Sequence, residues 1–499
     1  MSRINTNTSS QLAQRILNQN QNTLTKTMER LSTGLRINRG ADNPAGLIAS
    51  EKLRSEKASI SAALGNAQRA DQVVNIAEGG LQEINAMLLE VQSLVGQSAN
   101  EAGLSAEERQ ANQLQIDSIL QTIDRISSTT SFQGVKLLNG TFDFSVDNQH
   151  TKIADSQINA AKLQHNGTAD VNVVITNSAQ HGTLFISAGG TSLDLSSADA
   201  RFVFEVAGAK GSREFTFASG TTLSAITASV NTFKTVTGVS ATTSGNYIKL
   251  KSTDLGSSEF VSFKLVNRGG QAGSVFQASS NNENVVKTAS AQTLATLTNA
   301  VRDEGMDVGA TINGVTATAR GNVVSVNTDV LDLSLTLTDG GSQALGSFKA
   351  FTITGGGARF NLGPTVDILN QVSVGIGNVA SRNLGNATVG YLSDLGSGKS
   401  NNVVDGNIEK AQKIVNSAID QVSSLRGRLG AFQKNVVGAT INSLNVALEN
   451  TTSAESAIRD ADFASETANL TRSQILVSAA TNVLQVANSS PQSVLQLLG

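Results

Sequence analysis

Leu53, Ile60, Ala67, Val74, Leu81, Leu88 and Val95 recur at steps of seven, and Ala63, Ala70, Ala77, Ile84 and Val91 fill the position three residues on. An apolar seam sustained over that many heptads predicts a coiled-coil-like helix from Pro44 to Val95. At about 1.5 Å per residue it is roughly 75 Å long. Asn43 is placed to cap it, Pro44 takes the first helical position, where no N–H is needed, and Gly96 ends it. A matching seam runs near the other end of the chain. Ile408, Val415, Val422, Leu429 and Val436 repeat by seven, with Ala411, Ala418, Leu425, Phe432 and Ala439 beside them. It predicts a helix from about Asn401 to Glu449. Two helices of matched length with one apolar stripe each bury those stripes against each other, at about 1.5–3 kcal/mol per large side chain. The competing reading packs both stripes onto an internal globular core; uninterrupted heptads of this length argue against it.

Shorter elements flank the two rods. Leu17, Leu24 and Leu31, with Met28 and Leu35, give residues 1–37 a second amphipathic pattern, broken by the run NRGADNPAG from Asn38 to Gly46. Ser105 and Glu108 have capping-box spacing, and Ile116, Ile119, Ile123 and Ile126 follow as a third helix. Phe132 to Gly140 reads as a turn and short strand. From about Thr141 the pattern changes to short alternating runs: Val171–Ile175, Thr183–Ser187, Arg201–Val206, Glu214–Phe217, Tyr247–Lys251, Phe260–Val266, Val323–Asn327 and Phe348–Thr354. These predict strands, with Asn313–Gly314 as a hairpin turn and Thr222 to Val236 as one short helix. Near the C-terminus the rod helix is expected to stop near Glu449, and Thr452 and Glu455 to restart a helix with capping-box spacing. Its stripe is Leu470, Ile475, Leu476, Ala479, Val483 and Val486; Ser490–Pro491 interrupts it before Val494, Leu495, Leu497 and Leu498.

The expected fold is α+β: an antiparallel helical coiled-coil rod formed by the N- and C-terminal segments, with an inserted β-rich middle. If the rods are antiparallel, the breaks at Asn38–Gly46 and Asn450–Ser453 lie at one end, and residues 1–37 and 455–499 project together beyond it. Each tail is too thinly apolar to bury its stripe within one chain, so the tails are expected to order only against neighbouring copies. That is the layout of a polymerising subunit.

Composition narrows the chemistry. The chain has 499 residues with 0 Cys, 0 Trp, 3 Pro and 45 Gly, so disulfides, cysteine zinc sites and thiol chemistry are excluded. Charged residues are 15% and net charge is −3, which gives no field for nucleic acid or anionic lipid. Of the 17 Phe, 14 lie between Phe142 and Phe360, which predicts a different kind of core in the middle. No apolar run approaches the ~18 residues of a membrane span, and the N-terminus lacks a hydrophobic signal-peptide core. A coiled-coil signalling receptor fails for want of that span. His150, His165 and His181 are isolated and lack metal-ligand spacing, so no metal or other cofactor is expected. Asp460 and Asp462, beside Arg459, read as capping and ion-pairing groups rather than an acid–base pair. Gly355–Gly357 lacks a phosphate loop's Lys, and Gly398–Lys399–Ser400 lacks its upstream Gly, where Ser393 stands.

RLSTGLRINRGADNPAG (Arg30 to Gly46), FQGVKLLNG (Phe132 to Gly140), IRDADFASE (Ile458 to Glu466), LTRSQIL (Leu470 to Leu476) and ANSSPQSVLQLL (Ala487 to Leu498) together resemble bacterial flagellin over roughly the first 140 and last 100 residues. The resemblance implies a structural filament subunit for swimming and no enzyme. It implies 1–45 and 451–499 as tail helices of an inner tube with assembly contacts at Leu17, Leu24, Leu31, Leu470, Leu476, Val483, Val486, Leu495 and Leu498. It also implies 46–165 and 346–450 as the two parts of the rod domain and 166–345 as the outer insertion. Gly355 to Ile376 resembles the return strand and loop into the rod, and Glu214 to Val266 a small β insertion found in hooks and flagellins. The implied partners are copies of the chain, an export chaperone and export apparatus, and filament cap and junction proteins, with an extracellular location. A hook–filament junction protein sharing the terminal motifs is the near alternative. An enzyme-bearing flagellin is the far one; the absent metal spacing argues against it. One departure stands out. Flagellins sensed by the vertebrate innate receptor carry a basic residue in the patch that corresponds to Leu88 to Leu94. Here it holds Leu89, Glu90, Gln92 and Leu94, with Gln115 at the family's acidic position on the third helix, so receptor binding is expected to be weak.

Overall fold

The structure is a computed structural model that describes residues 6–100, 103–163, 167–197, 199–279 and 282–496. Its helices are α1 (Thr8–Thr33), α2 (Pro44–Ser98), α3 (Ala106–Thr129), the short α4 (Leu223–Thr232), α5 (Lys234–Thr237) and α6 (Asp339–Gln343), and then α7 (Ile408–Ala431), α8 (Ala439–Arg459) and α9 (Phe463–Gln496). Contacts divide the chain into two units: Met1–Asp71 with Asn361–Asn370 and Lys434–Gly499, and Gln72–Phe360 with Gln371–Gln433.

The α+β expectation holds: helical terminal segments flank a middle of antiparallel strands. Helix α2 starts where the sequence places it, with Gly46 N donating to the Asn43 side chain at 2.9 Å. Its 55 residues give a length of about 80 Å. Ser105 and Glu108 close a capping box at the start of α3. The buried face of α3 is Gln113, Ile116, Leu120, Ile123 and Ser127, so Ile119 and Ile126 sit at its margin.

The C-terminal helices depart from expectation in four places. Helix α7 begins at Ile408 rather than Asn401, capped by the Asn407 side chain on Lys410 N at 2.9 Å. A π-helical turn, Phe432–Gly438, separates α7 from α8. No break occurs at Asn450–Ser453: α8 continues to Arg459, and Glu455 accepts Lys57 instead of closing a capping box with Thr452. The last helix also runs through Ser490–Pro491 to Gln496.

The middle holds two β cores, nested in sequence. In the first, a five-stranded sheet runs in the order Val315–Thr316, Gly309–Ile312, Ala169–Asn177, Gly346–Gly356, Phe144–Asp147. It shares its core with a four-stranded sheet ordered Thr318–Arg320, Val323–Asn327, Leu331–Leu337, Ile153–Ala161. Strand pairing thus crosses the expected limits at 165/166 and 345/346: Leu333 pairs with Ile158, and Phe348 with Val173. The second core is inserted between Asn177 and Val308. One of its sheets carries Thr183–Ser187 and Tyr247–Ser252; the other carries Arg201–Gly208, Gly211–Ala218 and Phe260–Asn267. The uneven Phe content resolves here: Phe204 lies 5.1 Å from Phe263 and 5.7 Å from Phe217, ring centre to ring centre. Asn313 and Gly314 both adopt positive φ, 49° and 82°, as a two-residue hairpin of the predicted kind requires.

Candidate assembly surface of the terminal helices

Helices α1 and α9 lie antiparallel. Asn7 Nδ2 donates to Ala487 O at 2.8 Å, Ser10 Oγ to Asn488 Oδ1 at 2.6 Å, and Arg30 pairs with Glu466 at 3.6 Å at the other end. The side chains buried between them are small or polar: Ala13 and Thr27 on α1, and Glu466, Ser473 and Ala480 on α9. Leu17, Leu24, Leu31 and Leu470 are half-buried. The rest of the expected stripe faces outward: Ile475 is 63% exposed, Leu476 46%, Val483 59% and Val486 68%. Leu12, Ile16 and Met28 on α1 are exposed as well. The Leu495 side chain and Leu498 lie outside the described residues. The inward row of α9 is Glu466, Ser473, Ala480 and Ala487, at steps of seven, a row that apolar patterning does not reveal. Pairing the two tails therefore covers little apolar surface and leaves a row of large apolar side chains in water, an arrangement that marks an interaction surface.

A clasp of backbone hydrogen bonds joins the two chain breaks. Gly34, at φ 72°, ends α1. Arg36 N donates to Arg459 O at 2.7 Å, and Ala461 N to Gly34 O at 2.9 Å. Arg36 Nη2 reaches Ile458 O at 2.6 Å. Asp42 accepts the Arg39 and Asn38 amides, and the Arg39 bond leads in holding its carboxyl below the usual range. Asp462 caps α9 through Ala464 N at 2.9 Å, and Asp460 accepts Ser456 Oγ at 2.6 Å. Arg459 pairs with Glu51 at 3.3 Å rather than with either aspartate. These bonds explain two of the sequence motifs: RLSTGLRINRGADNPAG and IRDADFASE are the two halves of one clasp.

The rod seam is placed as follows. Ile60, Val74, Leu81, Leu88 and Val95 are buried, and Leu53 is half-buried. Val415, Val422 and Leu429 are buried, and Ile408 and Val436 are half-buried. Ile60 and Ala63 pack with Leu444, and Lys57 and Arg54 reach Glu455 at 2.5 and 3.9 Å. Within the larger unit, α2 and α7 run antiparallel, with Gln92 bonded to Asn416 at 2.8 Å and Glu78 paired with Arg426 at 3.3 Å. Of the positions expected to form the altered receptor patch, Leu89, Glu90 and Gln115 are exposed, Gln92 is half-buried, and Leu94 is buried.

The histidines occupy separate sites. His150 Nδ1 accepts Lys152 N at 3.1 Å, and its ring lies 4.9 Å from that of Phe348. His165 lies outside the described residues. His181 is buried, its amide bonded to Glu283 at 2.8 Å and its Nδ1 3.1 Å from Asp254 O. Burial pushes the His181 imidazole pKa down. Among the described residues no group of three or more His, Asp or Glu is placed to hold a metal ion. Nor, among them, is any helix long and apolar enough to cross a membrane.

Comparison with known proteins agrees with the terminal motifs. Residues 4–143 match the family model for the bacterial flagellin N-terminal helical region, and residues 412–498 that for its C-terminal helical region. The chain is 31% identical over 534 residues to B-type flagellin of Pseudomonas aeruginosa, covering 99% of each. It is 32% identical over 539 residues to flagellin of Salmonella muenchen, again covering 99% of each. Among solved structures it is similar to FliC from Burkholderia pseudomallei at 13% identity and TM-score 0.24, over 73% of this chain and 99% of that one. The class so defined is that of structural proteins of the bacterial flagellar filament. The chain belongs to the bacterial flagellin family.

Proposed function

We propose that the chain is a structural subunit that polymerises into an extracellular flagellar filament driving swimming, with α1 and α9 gaining their final order against neighbouring subunits. The observation that carries this reading is the outward apolar row Ile475, Leu476, Val483 and Val486 beside a seam of small and polar side chains. One tail pair buries too little apolar surface to offset the ordering of both helices, about 1–2 kcal/mol per residue, so neighbours must supply the rest. In this reading the tails line an inner tube and the heptad helices surround it. Export in an unfolded state, escorted by a chaperone that holds the C-terminal tail, and contact with cap and junction proteins belong to the same proposal. So does weak recognition by the innate receptor, for which Glu90 is exposed and Leu94 buried.

Limited proteolysis of the full-length chain, free and after seeded polymerisation, tests it. Both ends should be trimmed first in the free protein and protected in the filament. Removal of Leu470 to Gly499 should abolish polymerisation while the rod keeps its helicity. Equal cleavage in both states overturns the reading. Recovery as a minor component rather than the bulk of sheared filaments assigns the chain to the hook–filament junction.

A further inference from the structure

The C-terminal rod carries one residue more than its seam requires. Before the π turn the buried row is Val415, Val422 and Leu429, with Ala411, Ala418, Leu425 and Phe432 beside it. After the turn it is Val437, Leu444 and Thr451, again at steps of seven. The regular pattern calls for Val436 and Ala439 at the seam; Val436 is half-buried and Ala439 exposed. A π turn holds one residue more than an α turn. The turn at Phe432–Gly438 therefore absorbs the excess and leaves the apolar row of each heptad block buried.

The sequence around the turn sets where that excess can sit. Shifting it toward the N-terminus replaces Leu429 by Gly430 and Phe432 by Gln433 at the seam, and both exchanges lose apolar burial. Shifting it one heptad toward the C-terminus replaces Val437 by Val436 and Thr440 by Ala439, while Leu444, Ala447 and Thr451 keep their places. Those exchanges are nearly neutral, because identical or similarly small side chains trade positions. A further shift puts Ser443 where Leu444 was, which closes the range. We propose that the π turn is a mobile register defect, sliding between residues 432–438 and 439–445 as Val436 and Val437 take turns at the seam. The rod helix gains a point where its local twist changes without unzipping either heptad block. The inference rests on the register of the monomer and is independent of the assembly reading.

Hydrogen exchange of the full-length monomer, read amide by amide, tests it. Weak protection is expected over both 432–438 and 439–445. Val437→Ala should move the defect: protection rises about tenfold over 432–438 and falls over 439–445. Val436→Ala should pin it at 432–438 and raise protection over 439–445. Deleting Asn435 should remove the excess residue and protect both windows, with the helical circular-dichroism signal retained. Exchange in the native protein confined to 432–438 overturns the proposal. So does a Val437→Ala variant in which both windows lose protection, or a deletion that weakens the rod.

Discussion

Lys57 Nζ lies 2.5 Å from Glu455 Oε2, and the Glu455 side chain keeps only 13% of its exposure. Arg54 approaches the same carboxylate at 3.9 Å. This pair explains why α8 does not stop where its sequence offers a capping box. The carboxylate that would reach back to the Thr452 amide is held across the helix pair, and an unbroken helix keeps it there.

Replacing Glu455 by Ala is expected to destabilise the rod by about 1 kcal/mol, since the pair is partly screened by solvent on its Lys57 side. A double-mutant cycle with Lys57→Ala should give a coupling of about 0.5–1 kcal/mol that shrinks in about 1 M salt. Denaturant unfolding of the four proteins measures both quantities. A zero coupling at low salt would show the contact to be incidental.

The outward row of α9 yields a contrast between two substitutions three residues apart. Val483→Asp adds a charge at a solvent-facing site, so the free protein should keep its helical content and stability within about 0.5 kcal/mol. It should fail to polymerise, because that charge must then be buried at a contact between subunits. Ala480→Asp places the same charge inside the α1–α9 seam, where it also loosens the tail pair in the free protein. Circular dichroism and sedimentation after seeding separate the two. Normal filaments from Val483→Asp would remove this face from the assembly contacts.

Much of the helical plan was legible because a heptad is a local signal: each seam residue names the next. The skip at Leu429 to Val437 was not, since Val436 satisfies the pattern as well as Val437 does. The sequence points to a break at Asn450–Ser453 because the capping-box spacing of Thr452 and Glu455 is real, and only the distant Lys57 cancels it. The outward tail stripe is legible in the sequence, but the inward row of α9 is not. Apolar patterning tells which residues leave water, not whether the covering surface belongs to the same chain, and the row that pairs α9 with α1 is Glu466, Ser473 and Ala480. In the middle, Ile153–Ala161 escaped notice because IADSQINAA lacks clean alternation, although it pairs along the length of Leu331–Leu337.

Glu90 lies exposed on α2 beside exposed Leu89, whereas Leu94 of the same segment is buried. Purified monomer should therefore stimulate receptor-bearing reporter cells weakly. Glu90→Arg should raise the response, because it restores the sign of charge at an exposed site and disturbs no packing. Full potency of the native protein would refute this, as would a Glu90→Arg variant no better than the parent.

His181 makes the second β core sensitive to acid. Its imidazole is buried, its Nε2 has no hydrogen-bond partner, and burial is the leading cause of its lowered pKa. In the unfolded chain the same ring takes up a proton below about pH 6.5. Between that value and the lower folded pKa, the unfolded state binds more protons, so stability falls as pH falls through this window and recovers above it. Glu283, whose Oε1 lies 3.0 Å from Lys251 Nζ, acts lower. Burial raises its pKa, but the His181 amide, the charge of the His181 ring and Lys251 together leave it lowered, so its contribution is lost only in the carboxylate range, below about pH 4.5. Urea unfolding of the second core, followed by exchange of the Phe204 and Phe263 amides, should show a midpoint that drops from about pH 7 to about pH 5. His181→Gln should flatten that drop while leaving any loss below about pH 4.5 in place. An unchanged slope in the Gln variant would assign the acid sensitivity to groups other than this ring.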